Sequence, residues 1–193
     1  MTDMEKMAAG EVYWGFNPDF GPLLDKGQDF CFQYNQTPPS DRERKRCLLE
    51  GFLRKVGRNV LPNSPINIDL GNMEIGDDTI INFNFVALDE ALIKIGNNCF
   101  IGPNCSIYTV VHSLTVEDRN LGYMYAKPVT INDNCWLGGS VTVLPGVTIG
   151  EGSVIGAGSV VTKDIPAGVL AYGNPCKVIR QIDEVAKNDK SDK

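Results

Sequence analysis

A single histidine, His112, occurs in 193 residues. A metal centre built on imidazoles therefore has almost nothing to draw on. The six cysteines (Cys31, Cys47, Cys99, Cys105, Cys135, Cys176) never fall at C-x-x-C spacing, which leaves a zinc site little else to recruit. Cations are short too: 18 Lys and Arg stand against 24 Asp and Glu, a net charge of −6. No basic stripe is available to release counterions, so nucleic acid is not expected as a partner, while a local patch for a phosphorylated ligand stays open. The N-terminal stretch MTDMEKMAAGEVYWG lacks the apolar run of a signal peptide or membrane span. The chain is expected to be cytoplasmic with no membrane partner, and its cysteines to be reduced.

What is present is a globular composition, 42% hydrophobic and 22% charged, enough for one large domain or one domain with an appendage. Its organisation is a repeat. IGNNCF (95–100), IGPNCS (101–106) and IYTVVH (107–112) run in succession. INDNCW (131–136), LGGSVT, VLPGVT, IGEGSV, IGAGSV and VTKDIP (161–166) resume it, and IGDDTI (75–80) with INFNFV (81–86) precede it. Position one is always aliphatic. Position two is often Gly, and position five is small or apolar.

A short strand followed by a tight turn fits this beat, with the aliphatic inward and Gly or Asn taking the turn. Helical spacings of three and four are absent. The reading is a parallel β-helix, whose coils must stack and whose ends must be covered. Cys99, Cys105 and Cys135 occupy the small fifth slot as buried hydrophobes; the rival reading, a catalytic thiol, requires an electropositive niche.

The covers are predicted from the flanks. Helices are expected over 2–9 and 22–34, and Ser40-Asp41-Arg42-Glu43 has the form of a capping box ahead of a stripe at Leu48, Leu49, Phe52, Leu53 and Val56. The domain plan is an N-terminal helical cap (1–58), a β-helix (59–172) and a C-terminal segment and tail (173–193). The chain is expected to leave the coils at Pro175 and turn helical, with NDKSDK disordered.

These hexads resemble the left-handed β-helix acyltransferases. The run from KPVTINDNCW to GNPCKVIR, with EKMAAGEVY and YNQTPPSDRERK, resembles the branch that O-acetylates maltose, galactosides and nodulation factors. The likeness spans roughly residues 2–182. It implies the left hand of the coil, a homotrimer with each site between two subunits, and a loop extruded from one coil, here residues 113–128.

The resemblance also implies roles. Acetyl transfer from acetyl-CoA to a hydroxyl needs a base and a donor for the developing oxyanion. His112 matches the family's general base, acting by direct transfer. Asn82 matches an asparagine beside the reacting centre; Asn82 and Asn84 are also readable as turn residues in left-handed geometry. Asp69, Glu90, Met124 and Tyr125 match positions lining a sugar-like acceptor, Asp69 only with a one-residue gap. Any of these four is also readable as ordinary packing.

For the co-substrate, Trp136 and Gly139 match the pantetheine track, and Ala157 and Gly158 the backbone that bonds its amides. Thr162, Lys163, Lys177 and Arg180 match the nucleotide end, where cations favour phosphate. No metal is implied. The chain departs from the sugar-specific members in its cap, where Gly15 and Leu24 stand in place of an acid and an arginine. An antibiotic or amino sugar as acceptor, and a silent β-helix scaffold, are the alternatives. A zinc enzyme of the γ-carbonic-anhydrase kind lacks its histidines.

Overall fold

The computed structural model describes residues 1–182. Hexad position one points inward: Ile95, Ile101, Ile107, Ile131, Leu137, Val143, Ile149, Ile155 and Val161 are all 2% exposed or less. The fifth-position residues Thr79, Cys99, Cys105, Cys135, Val141, Val147, Ser153 and Ser159 are buried beside them. Thr130 pairs in parallel with Thr148, Trp136 with Val154 and Thr142 with Val160, each eighteen residues on. Three hexads therefore make one coil, and the stack has three sheet faces. Each buried aliphatic contributes about 1.5–3 kcal/mol, so shortening one inside the column, as in Ile131→Ala, costs about 2–5 kcal/mol.

The first face stacks Lys55–Val56, Met73–Ile75, Ile93–Ile95, Val129–Ile131 and Thr148–Ile149. The second holds Ile80–Ile81, Phe100–Ile101, Trp136–Leu137, Val154–Ile155 and Val169–Gly173. The third holds Ile66–Ile68, Phe85–Leu88, Ser106–Tyr108, Thr142–Val143 and Val160–Val161. The chain visits them in that order, so residues 82–84, 102–104, 138–140 and 156–158 turn the edge between second and third faces. Residues 69–72, 89–92, 109–128 and 162–164 turn the edge between third and first. This division decides where chemistry can occur.

The turns work differently from expectation. The left-handed residue is position four, where Asp78, Asn98, Asn104, Asn134 and Ser140 have φ between 53° and 62°. Position two is glycine for another reason. A Cβ on Gly102 would lie 2.7 Å from the backbone of Gly138 and Gly139 in the next coil. Close approach of stacked corners, not turn geometry, excludes a side chain there. The fifth-slot thiols are sealed inside, with Cys99, Cys105 and Cys135 Sγ donating to Asn132, Gly138 and Gly150 carbonyls at 3.1–3.2 Å. Burial pushes the Cys105 thiol pKa up, against the thiolate that a nucleophile needs.

One coil carries an insertion. Ile93 pairs with Val129, Phe100 with Trp136 and Ser106 with Thr142, all thirty-six residues apart instead of eighteen. The excursion thus preserves the register, yet it is ordered, not irregular. A short helix at Val116–Asn120 leads into strand Tyr123–Ala126, which pairs antiparallel with Val110–His112 on one side and Tyr13–Trp14 on the other.

The cap is three helices, α1 (Asp3–Ala9), α2 (Gly21–Gln36) and α3 (Arg42–Phe52). Thr2 and Glu5 form a capping box on α1. On α3 the cap is Asp41, whose side chain accepts from Arg44 N, and not Ser40. A cap one residue later sets the carboxylate on the first free amides. Helix α2 covers the open end of the third face: Asn35 bonds both N and O of Ile66 at 2.9 Å, acting as a stand-in strand.

At the other end the expected helix is replaced. Cys176–Gln181 is a strand, paired antiparallel with Val169–Gly173. It covers the edge of the second face, which a helix turning away from the coils would have left open. The rest of the expected helix, and NDKSDK, lie outside the described residues.

Candidate active site

His112 is the last residue of Val110–His112 and lies across the ribbon from Met124, with Val111 across from Tyr125. Alternation along a strand would turn His112 to the side that Val110 takes, and here the coil ends, leaving the imidazole exposed. The ribbon is fixed from outside. Gly15 N donates to Gly122 O at 2.8 Å and Trp14 Nε1 to Leu121 O at 2.9 Å, while Arg119 bonds the Ser113 and Leu114 carbonyls. His112, Met124 and Tyr125 come together on a cleft of about 490 Å³, joined by Val12, Leu114 and Asp118.

Met124 borders a second, smaller cavity, shared with Gly15, Leu24 and Glu90. The two cap positions that depart from the sugar-specific pattern therefore face the predicted acceptor residue Glu90. Burial, with Asp69 and Asp89 nearby, raises the Glu90 pKa to about 7, and burial raises Asp89 to about 6. Asp69 is also raised by burial, on the same edge, but lines neither cavity.

The remaining predicted residues are elsewhere. Asn82 sits on the edge between second and third faces, its Oδ1 accepting from Phe83 N at 2.8 Å. It is not in left-handed geometry, whereas Asn84 is, at φ 59°. Gly139, Ala157 and Gly158 lie on that same edge. Trp136 stands outward on the second face, 55% exposed, above Phe100 in the neighbouring coil. Thr162 and Lys163 lie on the His112 edge, exposed. Lys177 and Arg180 are exposed on Cys176–Gln181, with Arg180 across from Leu170.

Known proteins resemble this chain in sequence and in fold. The model of the maltose acetyltransferase hexapeptide capping motif matches residues 6–57, and that of bacterial transferase hexapeptide (six repeats) matches 128–163. A hexapeptide repeat of succinyl-transferase matches 92–119. Galactoside O-acetyltransferase of Escherichia coli is 37% identical over 97% of this chain and 93% of its own. The chain belongs to the hexapeptide-repeat acetyltransferases.

Two solved members of these acetyltransferases share its shape. A maltose O-acetyltransferase from Clostridium difficile superposes with a TM-score of 0.92 at 38% identity, covering 95% of this chain and 99% of its own. A hexapeptide-repeat acetyltransferase from Vibrio cholerae, complexed with acetyl coenzyme A, gives 0.86 at 34%, covering 95% and 100%. Among the described residues of this acetyltransferase, no helix is long and apolar enough to cross a membrane. Nor do three His, Cys, Asp or Glu side chains gather as a metal site among them.

Val12, Tyr13 and Asp118 are among the cavity residues missed in the sequence, and Tyr13 and Trp14 belong to a strand of two residues with partners more than a hundred positions away. Nothing local marks so short a strand.

Proposed function

We propose that this acetyltransferase moves the acetyl group of acetyl-CoA to a hydroxyl of a sugar-like acceptor, directly, in the cytoplasm, with His112 as general base. The imidazole takes the hydroxyl proton, the oxygen attacks the thioester carbon, the C–S bond breaks, and the CoA thiolate leaves with that proton. Asn82 supplies a hydrogen bond to the developing oxyanion. Trp136, Gly139, Ala157 and Gly158 hold the pantetheine arm, and Thr162, Lys163, Lys177 and Arg180 hold the phosphates.

The observation that carries this reading is the division of candidates between two edges. His112, Glu90 and Met124 occupy one; Asn82, Gly139, Ala157 and Gly158 occupy the other. Their union needs a second copy whose other edge meets the first. Where the one edge of each copy meets the other edge of the next, head to tail, a contact that closes makes a ring. A homotrimer is the ring suited to a three-faced prism.

Release of CoA thiol from acetyl-CoA tests the reading, with sugars, amino sugars and hydroxyl antibiotics as acceptors and light scattering for the assembly. Acceptor-dependent release from a trimer is expected. A stable monomer at micromolar concentration, or no release with any acceptor, overturns it.

A further inference from the structure

Between the cap and the His112 edge lies a cavity of about 60 Å³, bordered by Met7, Tyr13, Phe20, Leu24, Glu90 and Met124. Its lining is apolar except at two points. Tyr13 OH and Glu90 Oε2 are buried and have no hydrogen-bond partner among the described residues. Tyr13 is only 2% exposed. Its ring packs against Phe20 with centroids 5.5 Å apart, a contact that phenylalanine would make equally well.

A hydroxyl that adds nothing to packing and is left unpaired destabilises the fold, so a phenylalanine here would be the better residue for stability alone. Two residues that border one cavity, each carrying a buried unpaired oxygen, point to a group arriving from outside. The cavity is of a size for a small substituent or a few waters. Met124 borders both this cavity and the His112 cleft. A ligand presenting one hydroxyl to His112 therefore has its far side directed here.

We propose that Tyr13 and Glu90 together hold a second hydroxyl of the acceptor, while Leu24 and Phe20 take an adjacent alkyl or deoxy carbon. The inference rests on the acetyltransferase reading above and assigns it a substrate class: deoxygenated or alkyl-substituted polyols. Glu90 is pressed towards its neutral form by burial and by Asp69 and Asp89. A neutral carboxyl both donates to and accepts from a hydroxyl, which suits an uncharged ligand. An ordinary sugar would set a hydroxyl against Leu24, where nothing bonds it.

The test compares methyl β-D-galactoside with its monodeoxy analogues, in wild type and in Tyr13→Phe, by acetyl-CoA-dependent thiol release. In wild type at least one analogue should show a KM fivefold or more below the parent glycoside. Tyr13→Phe should raise the KM for that analogue about tenfold, leave the KM for acetyl-CoA unchanged, and keep or raise Tm. Rescue of thermal stability together with loss of acceptor affinity is a pairing that a structural tyrosine would not give. If the parent binds better than every analogue, or Tyr13→Phe leaves acceptor KM unmoved, the pocket assignment fails while the transferase reading stands. If wild type releases no thiol with any acceptor, both fail.

Discussion

Gly15 lies so close to Met124 that a Cβ on the glycine would overlap the methionine sulfur. The glycine is therefore what lets Met124 sit between the His112 cleft and the cavity at Glu90. Gly15→Asp should push Met124 aside and return an acid to the cap position where the sugar-specific members carry one. Each charged hydrogen bond that such an acid makes is worth about 1.5–3 kcal/mol. Steady-state kinetics should show KM for simple galactosides falling tenfold or more relative to less polar acceptors. No change in the ratio would mean that the cap does not touch the acceptor.

The two kinds of glycine in the coils should respond oppositely. Gly102→Ala forces a methyl into the backbone of the next coil, an overpacking that costs about 1–3 kcal/mol or more. Gly152 has φ 69° and open space around its missing Cβ, at position four where neighbouring coils use asparagine. Gly152→Asn should be close to neutral. Thermal denaturation of the two variants would decide it, and equal losses would return the position-two glycines to a turn role.

Glu90 makes stability depend on pH in an unusual direction. Its carboxyl has a folded-state pKa of about 7 against an ordinary 4.5, so between those values the folded chain binds more protons than the unfolded one. Stability is then largest below pH 4.5 as far as this group goes, and is lost as pH rises towards 7. Asp89, raised from 3.8 to about 6, acts in the same direction. Asp77 and Asp133 are lowered by hydrogen bonds from Arg58 and Asn97, and they lose stability only as pH falls below 3.8. Tm should therefore decline from about pH 5 to pH 8, and Glu90→Gln should flatten that decline. A Gln variant with the wild-type slope would assign it elsewhere.

Why the hexads were readable and the cavities were not follows from range. Ile131 announces its inward column within six residues, and Cys99 its small slot, because the same environment recurs in every coil. Tyr13 has no such repetition: its role exists only because Tyr123–Ala126 folds back beside it. Gly15 and Leu24 could be flagged as departures from a pattern, but not placed against Glu90 without the ribbon. The C-terminal segment was misread because CKVIRQ carries no alternation strong enough to show a strand, and the edge it covers is defined by another coil.

The nucleotide end should answer to salt. Lys163→Ala combined with Arg180→Ala should weaken CoA binding by calorimetry, with the deficit shrinking as ionic strength rises, since exposed charges act within a Debye length of about 8 Å at physiological salt. Acceptor KM should stay within twofold or so, as these residues are assigned to the donor alone. Undiminished CoA affinity in the double variant would move the phosphate site off this end of the prism.

The division of the site between edges predicts complementation. His112→Ala should lower kcat by about 10²–10⁴, the usual worth of a positioned base, and Asn82→Ala by a comparable factor through the oxyanion contact proposed for it. Each variant alone has every site damaged. Co-expressed in equal amounts, the two chains assemble at random. A site then becomes whole where an intact His112 from one subunit meets an intact Asn82 from the next. Random pairing makes that about a quarter of all sites for a head-to-tail ring, so activity should recover to roughly a quarter of wild type. Mixing the separately purified variants should restore nothing until subunits exchange. If both residues served one site within a single chain, every site in the co-expressed mixture would carry one lesion or the other, and no activity would return.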